Sequence, residues 1–330
     1  MKKIGILYGL EQSFPESLIA YINSKKAKDV IAEMIKIGTV SMESLFDYNV
    51  VLDRVSQEVQ YYRSVLKQIT LKGTHVINNP FWACADDNFF HASLATKIGI
   101  NVPKTVILPS KEHPQGVTSE TLKNLEYPLN WHAVFEYVGF PAYIKPNISS
   151  RTETDFKVYN PQEFFSAYDL TGSSVMLLQE SIEFQEYYRC YVIGKKHTRI
   201  MSYDPTKPFH LRFSPGEPKI DLKLKEEIEK ISIKICAALG FDFNAIEYAV
   251  RDGIPYSIDF LQQAPLAKRS YLHEDNFDWL VRTAGDFLVE LALEGKYHSS
   301  EFTWSAFLKG PKSPVKRIKK PLSKKKNYEL

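Results

Sequence analysis

Between Asn244 and Phe260, apolar and polar residues alternate on both sides of Asp252-Gly253. A period-two pattern broken by a short glycine turn calls for two antiparallel strands. With Asp252-Gly253-Ile254 as the loop, Arg251 pairs with Pro255, and Glu247 comes to lie opposite Asp259. Ile246, Tyr248, Val250, Tyr256, Ile258 and Phe260 then share the other face and pack on a core. Directly opposed residues in such a ladder have Cβ atoms about 5 Å apart, so two carboxylates there repel unless a cation lies between them. A divalent metal or a basic partner is implied. Pairing of each acid with a lysine or with Arg251 is the plainer alternative.

A chain of 330 residues with 44% hydrophobic and 25% charged residues has ample material for two or three packed subdomains. Its three cysteines, Cys84, Cys190 and Cys236, are odd in number and widely spaced, which disfavours a disulfide framework and a cysteine metal site. A reducing cytoplasm fits them. The opening Met1–Gly9 has too short an apolar run for a signal peptide, and no stretch approaches the ~20 apolar residues of a membrane span. The net charge of +3 conceals an asymmetry, because residues 309–330 hold nine Lys or Arg against one acid and leave 33 basic against 38 acidic residues elsewhere. That proline-interrupted segment reads as an extended tail. It suits nucleic acid, an anionic membrane surface or an acidic partner, or it is simply solvated. A nucleic-acid role is the weakest of these, since the rest of the chain is acidic and the tail lacks interleaved aromatics.

The first hundred residues alternate strand and helix, as in a parallel α/β unit: strands at Lys3–Tyr8, Asn49–Arg54 and His75–Asn78, helices at Pro15–Asn23 and Gln57–Leu71. Gly5 and Gly9 alone do not make the glycine triplet of a dinucleotide site. A helix at Asp86–Ile98, a strand at Lys104–Leu108 and a loop at 109–130 follow. A second run comprises helix Trp131–Val138, strand Pro141–Pro146, strand Asp155–Tyr159, helix Pro161–Leu170 and strand Ser174–Glu180. The hairpin Glu186–Ile193 and Lys196–Tyr203, helix Lys223–Leu239, the opening hairpin and a closing helix at Asn276–Glu294 complete the chain.

Four pieces of this order resemble the ATP-grasp superfamily, in particular carboxylate-amine ligases like glutathione synthetase, D-alanine ligase and the ribosomal-protein glutamate ligases. They are Phe140-Pro-Ala-Tyr-Ile-Lys145-Pro146, Leu177-Leu-Gln179-Glu180-Ser-Ile182, Glu186-Tyr-Tyr-Arg189 running on to Gly194, and the carboxylate hairpin with Gln262 after it. The family places its two acids twelve positions apart, as Glu247 and Asp259 are. Asn78-Asn-Pro-Phe-Trp82 and Pro103–Pro109 resemble parts of the preceding domain. The longer match is with uncharacterised bacterial ATP-grasp proteins. The resemblance implies an α/β and α+β chain, with an ATP-grasp fold preceded by a small parallel α/β domain. Its units are 1–85 (N-terminal), 86–173 and 174–308 (the two ATP-grasp subdomains) and 309–330 (the basic tail).

It also implies ATP and Mg2+, with Lys145 and Arg189 on the phosphates as candidate catalytic residues. Lys145, Gln179, Glu180, Ile182 and Glu186 are implied to bind nucleotide, and Glu247, Asp259 and Gln262 to bind metal. Transfer of a phosphoryl group to a carboxylate, then attack by an amine, would form an amide or peptide bond between small-molecule or peptide substrates. Magnesium suits such a site because it takes one or two carboxylates and completes an octahedron with phosphate oxygens. Arg54, Arg63, Arg199 and Arg212 are further candidates for binding a substrate carboxylate. Each residue has an ordinary reading beside it: Lys145 as an exposed strand end, Glu186 and Arg189 as a surface ion pair, Gln262 as a loop cap, and the tyrosines after Phe184 as packing. Three departures stand out: no glycine in Pro146–Asp155, Asn88 where relatives have a lysine after Asp87, and glutamine three positions after Asp259. The alternative they allow is an impaired ATP-grasp protein that binds nucleotide or acts as a scaffold.

Overall fold

The structure, a computed structural model, describes residues 1–26, 29–81, 87–148, 155–260 and 264–295. Cys84, residues 149–154, Gln262 and the basic segment 309–330 lie outside these residues. Three four-stranded sheets organise the rest.

In the first sheet β1 (Lys2–Leu7), β2 (Val30–Met34), β3 (Val50–Asp53) and β4 (His75–Ile77) run parallel in the order β2-β1-β3-β4. Their runs of Ile, Val and Leu are what a sheet covered on both sides requires. On one side lies α2 (Gln60–Leu71), through Val65, Leu66 and Ile69. On the other, Ile4, Ile6 and Leu52 meet α1 (Ser13–Ser24) and, from the far end of the described chain, α8 (Glu274–Glu294). A Cβ at Gly285 would sit 2.5 Å from the Tyr21 ring, so glycine is what lets α1 and α8 close on each other. Tyr21 then donates its hydroxyl to Asp286 at 2.9 Å.

The second sheet is antiparallel, with β5 (Thr105–Leu108), β6 (Ala142–Pro146), β7 (Phe156–Val158) and β8 (Met176–Glu180) in the order β5-β8-β6-β7. One face packs on α4 (Trp131–Val138) and α5 (Pro161–Tyr168) through Phe164, Tyr168 and Val138. Asn160 starts α5 by accepting from the Glu163 N–H at 2.9 Å, while the Glu163 carboxylate reaches back to the Tyr159 N–H at 3.0 Å. Pro161 fits the first turn, where no N–H is needed. β8 is an inner strand of this sheet, so Met176–Glu180 pairs with β5 on one side and β6 on the other.

The third sheet holds β9 (Glu186–Ile193), β10 (His197–Ser202), β11 (Phe243–Arg251) and β12 (Ile254–Asp259), antiparallel in the order β10-β9-β11-β12. Its lower face buries Cys190, Val192, Ile246 and Tyr248 on α6 (Leu222–Leu239) and also on α3 (Asn88–Lys97). By core, α3 therefore packs with the third sheet rather than the second. The upper face shares one core with the first sheet, α1 and α8. Asn78 stitches the two sheets together: it accepts from the N–H groups of Asp242 at 2.9 Å and Phe243 at 3.0 Å, and donates to the Phe243 carbonyl at 2.7 Å.

Among the described residues no helix is long and apolar enough to cross a membrane. Cys190 and Cys236 are free and buried, and burial pushes both thiols up to about 12. In the folded protein both are expected to resist a thiol reagent at mildly alkaline pH and to react on unfolding. Mass mapping that found either labelled without denaturant would show an open core.

Candidate active site

Alternation along β9 places Tyr187, Arg189, Tyr191 and Ile193 on the upper face of the third sheet. The same rule puts Phe243, Ala245 and Glu247 of β11 there. The apolar half of this face is sealed under α8 and the first unit. Past its edge the pattern turns polar, and Arg189 and Glu247 become direct cross-strand neighbours, with Asp259 opposite Glu247 on its other side.

The opposition of Glu247 and Asp259 is the expected one, reached by another route. The turn is the two residues Asp252-Gly253, with φ of +54° and +73°, so Arg251 pairs with Ile254 and Val250 with Pro255. Both central residues of this hairpin turn need positive φ, which favours Asp-Gly. A bulge between Glu247 and Tyr248 leaves Ile258 without a partner and restores the Glu247–Asp259 register. Pro255 and Ser257 therefore take the buried positions expected for Tyr256 and Ile258. Tyr256 turns to the other side, where the Arg251 guanidinium stacks 4.7 Å from its ring centre.

Glu247 is held at both oxygens. Arg189 Nη1 lies 3.2 Å from Oε1, and the Tyr187 hydroxyl donates to Oε2 at 2.8 Å. Arg189 is 2% exposed, and its guanidinium lies 5.4–5.7 Å from the rings of Tyr203, Tyr191 and Phe213. Burial lifts the Glu247 carboxyl above its usual range and nearby Asp259 adds to this, while Arg189 and Tyr187 draw it back. Burial alone disfavours the charge on Arg189, but Tyr191, Glu247 and Tyr203 outweigh it and the net shift is upward. Burial, then Glu247, raises Tyr187 well above its ordinary value, so its phenol remains a donor. A guanidinium and a phenol that both donate to one carboxylate favour its charged form against the burial that opposes it.

Lys145 sits half-buried on the face of β6 away from the α4/α5 core, with Tyr143, Leu177 and Gln179 on the same side. Asp155, just before β7, connects the two sheets electrostatically: desolvation by the surrounding protein raises its pKa although its side chain opens to solvent, Lys145 lowers it and Asp259 raises it. Asp155 and Tyr203 are residues of the candidate site that the sequence did not mark, and Tyr187, expected only as aromatic packing, also donates to Glu247. Period two along β9 could have placed Tyr187 beside Arg189; nothing local marks Asp155.

The remaining expected nucleotide residues are spread along the junction of the second and third sheets. Gln179 is buried and donates to the Thr105 hydroxyl at 3.0 Å. The Glu180 carboxylate accepts from Arg251 at 3.1 Å, tying β8 to the tip of the carboxylate hairpin. Ile182 is buried. Glu186 is exposed and accepts from the Tyr188 hydroxyl, and strand alternation sends it to the face opposite Arg189, so those two do not form an ion pair. Gln262 lies outside the described residues. Asn88 donates to the Pro146 carbonyl at 3.3 Å, and the N–H groups of Asn88 and Phe89 at the start of α3 are taken by Asn147. Of the four arginines, Arg54 is buried against Glu11 and the Pro265 carbonyl, and Arg199 is engaged by Asn276 and Glu217. Arg63 lies near Asp53. Arg212 donates to the Tyr203 hydroxyl at 3.2 Å and to the Lys207 carbonyl at 3.0 Å.

Among the described residues no three His, Cys, Asp or Glu side chains converge into a metal cage. Two adjacent carboxylates, each oxygen of Glu247 keeping a second lone pair, instead fit a magnesium ion that draws its other ligands from phosphates.

No protein-family model matches the chain. Among curated proteins it is similar to a D-alanine–D-alanine ligase of Prochlorococcus marinus (strain AS9601), 27% identical over 133 residues, which is 36% of this chain and 37% of that one. The match thus spans little more than a third of that relative. Among solved structures, the D-alanine–D-alanine ligase of Bacillus anthracis complexed with ATP has a TM-score of 0.62 at 17% identity, covering 93% of this chain and 98% of that one. The RimK domain protein ATP-grasp from Sphaerobacter thermophilus has a TM-score of 0.61 at 15% identity, covering 87% and 99%. A Chryseobacterium gregarium RiPP-associated ATP-grasp ligase, solved with ADP and a leader and core peptide, has a TM-score of 0.59 at 15% identity, covering 88% and 97%.

Proposed function

The chain has the ATP-grasp fold, and we propose that it is an ATP-dependent, magnesium-requiring ligase that joins a carboxylate to an amine. The observation that carries this reading is the Glu247–Asp259 pair, braced by Arg189 and facing the sheet that carries Lys145. Lys145 binds the phosphates. The chain from Gln179 to Ile182 lines the base and Glu186 the ribose. Glu247, Asp259 and Gln262 hold magnesium, which when bound neutralises phosphate charge. Arg189, enclosed by aromatic rings, acts chiefly by fixing Glu247 and adding positive charge beneath the site. A substrate carboxylate oxygen attacks the terminal phosphorus, the bond to ADP breaks, and an acylphosphate forms. The amine then attacks the acyl carbon, loses a proton, and inorganic phosphate leaves. Neighbours of this fold named for D-alanine or peptide substrates support an amide product without choosing between the two.

Calorimetric titration with ADP and a non-hydrolysable ATP analogue, with and without magnesium, tests the site. Lys145→Ala is expected to weaken magnesium-dependent binding by about tenfold or more, the loss of one charge-assisted phosphate contact. Binding untouched by that substitution would move the nucleotide elsewhere. The use of Asn88 as a structural donor to Pro146 favours a second reading, nucleotide binding without turnover. Phosphate release with any acid and amine pair would exclude it.

A further inference from the structure

Beside the carboxylate pair, the chain from Tyr203 to Phe213 leaves the third sheet and returns to it. The excursion is a built one. Tyr203 and Phe213 are bridged, the Asp204 N–H donates to the Arg212 carbonyl at 2.8 Å, and the Ser214 N–H donates to the Ser202 carbonyl at 3.2 Å. Its crest, a single 3-10 turn at Phe209–Leu211, leaves Phe209 49% and Leu211 54% exposed. Phe209 meets Tyr271 of α7 (Arg269–Leu272) edge to face, ring centres 5.7 Å apart. A cation stands on each ring: Arg212 lies 5.3 Å from the centre of Phe209, and Lys268 lies 4.9 Å from that of Tyr271.

The charges around this platform are unequally spent. Asp204 is engaged by Thr206 and Lys207, Glu217 by Arg199, and Glu274 by Arg269. Arg212 and Lys268 have no ion pair among the described residues. A surface with its acids paired, two cations unpaired and two large apolar side chains open to water is complementary to an anion that carries apolar bulk beside it. The platform is also joined to the reaction centre. Arg212 holds the Tyr203 hydroxyl, Tyr203 packs on Tyr187 at 5.9 Å, and Tyr187 donates to Glu247.

We propose that this platform docks the substrate that supplies the acid, and that this substrate is a peptide segment in which carboxylates flank an aromatic or large aliphatic residue. The assignment rests on the ligase reading. A free amino acid could meet one cation, but it would leave Phe209, Leu211 and Tyr271 wet; a peptide covers both kinds of surface.

The test is binding of immobilised short peptides that vary independently in acidic and in aromatic content, with free glutamate as competitor and no nucleotide present. Acidic peptides containing Phe, Trp or Leu are expected to be retained. Retention should weaken with salt and fall at least about tenfold in the Arg212→Glu/Lys268→Glu protein, and several-fold in Phe209→Ala. Magnesium-dependent ADP binding, measured on Lys268→Glu and Phe209→Ala, which leave Arg212 and its Tyr203 contact in place, should remain at the wild-type level. Equal retention of basic and acidic peptides, indifference to the charge reversals, or displacement by free glutamate at equal concentration would overturn the proposal. ADP binding reports on the ligase reading separately, since it is measured without peptide.

Discussion

Asp259→Asn is expected to lower ADP formation by about 10²–10³-fold, the scale of losing one group aimed at charge that develops in the transition state. The substitution keeps the shape of the side chain and removes the charge that faces Glu247 across the ladder. Losing one of two opposed anions also relieves repulsion, so the melting temperature should stay level or rise. Calorimetry with manganese and ADP gives a reading independent of turnover, and metal affinity should fall with activity. Undiminished ADP formation would remove the carboxylate pair from the chemistry, and with it the main support for a ligase.

The second large effect concerns stability. Arg189→Met leaves the Glu247 carboxyl buried beside the Tyr187 hydroxyl without its guanidinium partner, and removing one member of a buried pair costs about 3–5 kcal/mol. Midpoints of urea unfolding should register this directly. Glu247→Met on top of Arg189→Met replaces both charges with apolar groups of similar length and should recover most of the loss. A double variant no more stable than Arg189→Met would mean that the guanidinium matters through its aromatic contacts with Tyr191, Tyr203 and Phe213 and not through Glu247.

Much of the fold was legible because periodicity is a local property. The helix at Trp131–Val138 and the strand at Glu186–Ile193 lie where the pattern puts them, and other elements differ by a few residues at their ends. The strand Val30–Met34 was missed: it is short, and its pairing with β1 rather than its own alternation defines it. The opposition of Glu247 and Asp259 was read correctly while the faces of Tyr256 and Ile258 were not, since two compensating departures, a shorter turn and a bulge, cancel in register but not in side-chain direction. Chain-distant partnerships left no trace at all. Asn78 is a polar residue at a strand end until β11 comes to it, and Asp155 joins the site only when the second sheet faces the third.

The position of α8 has a consequence for how the protein is made. Ile4, Ile6 and Leu52 leave a ribosome early, yet the helix that shares in covering them begins at Glu274. At about 5–20 residues per second, some ten seconds or more separate the two. Until α8 arrives the nascent first sheet has α1, and later the third sheet, on its inner face with an apolar strip still open beside them. A stalled or truncated chain ending before Glu274 is therefore a ready client for chaperones, and α8 sets the moment at which the first sheet is covered.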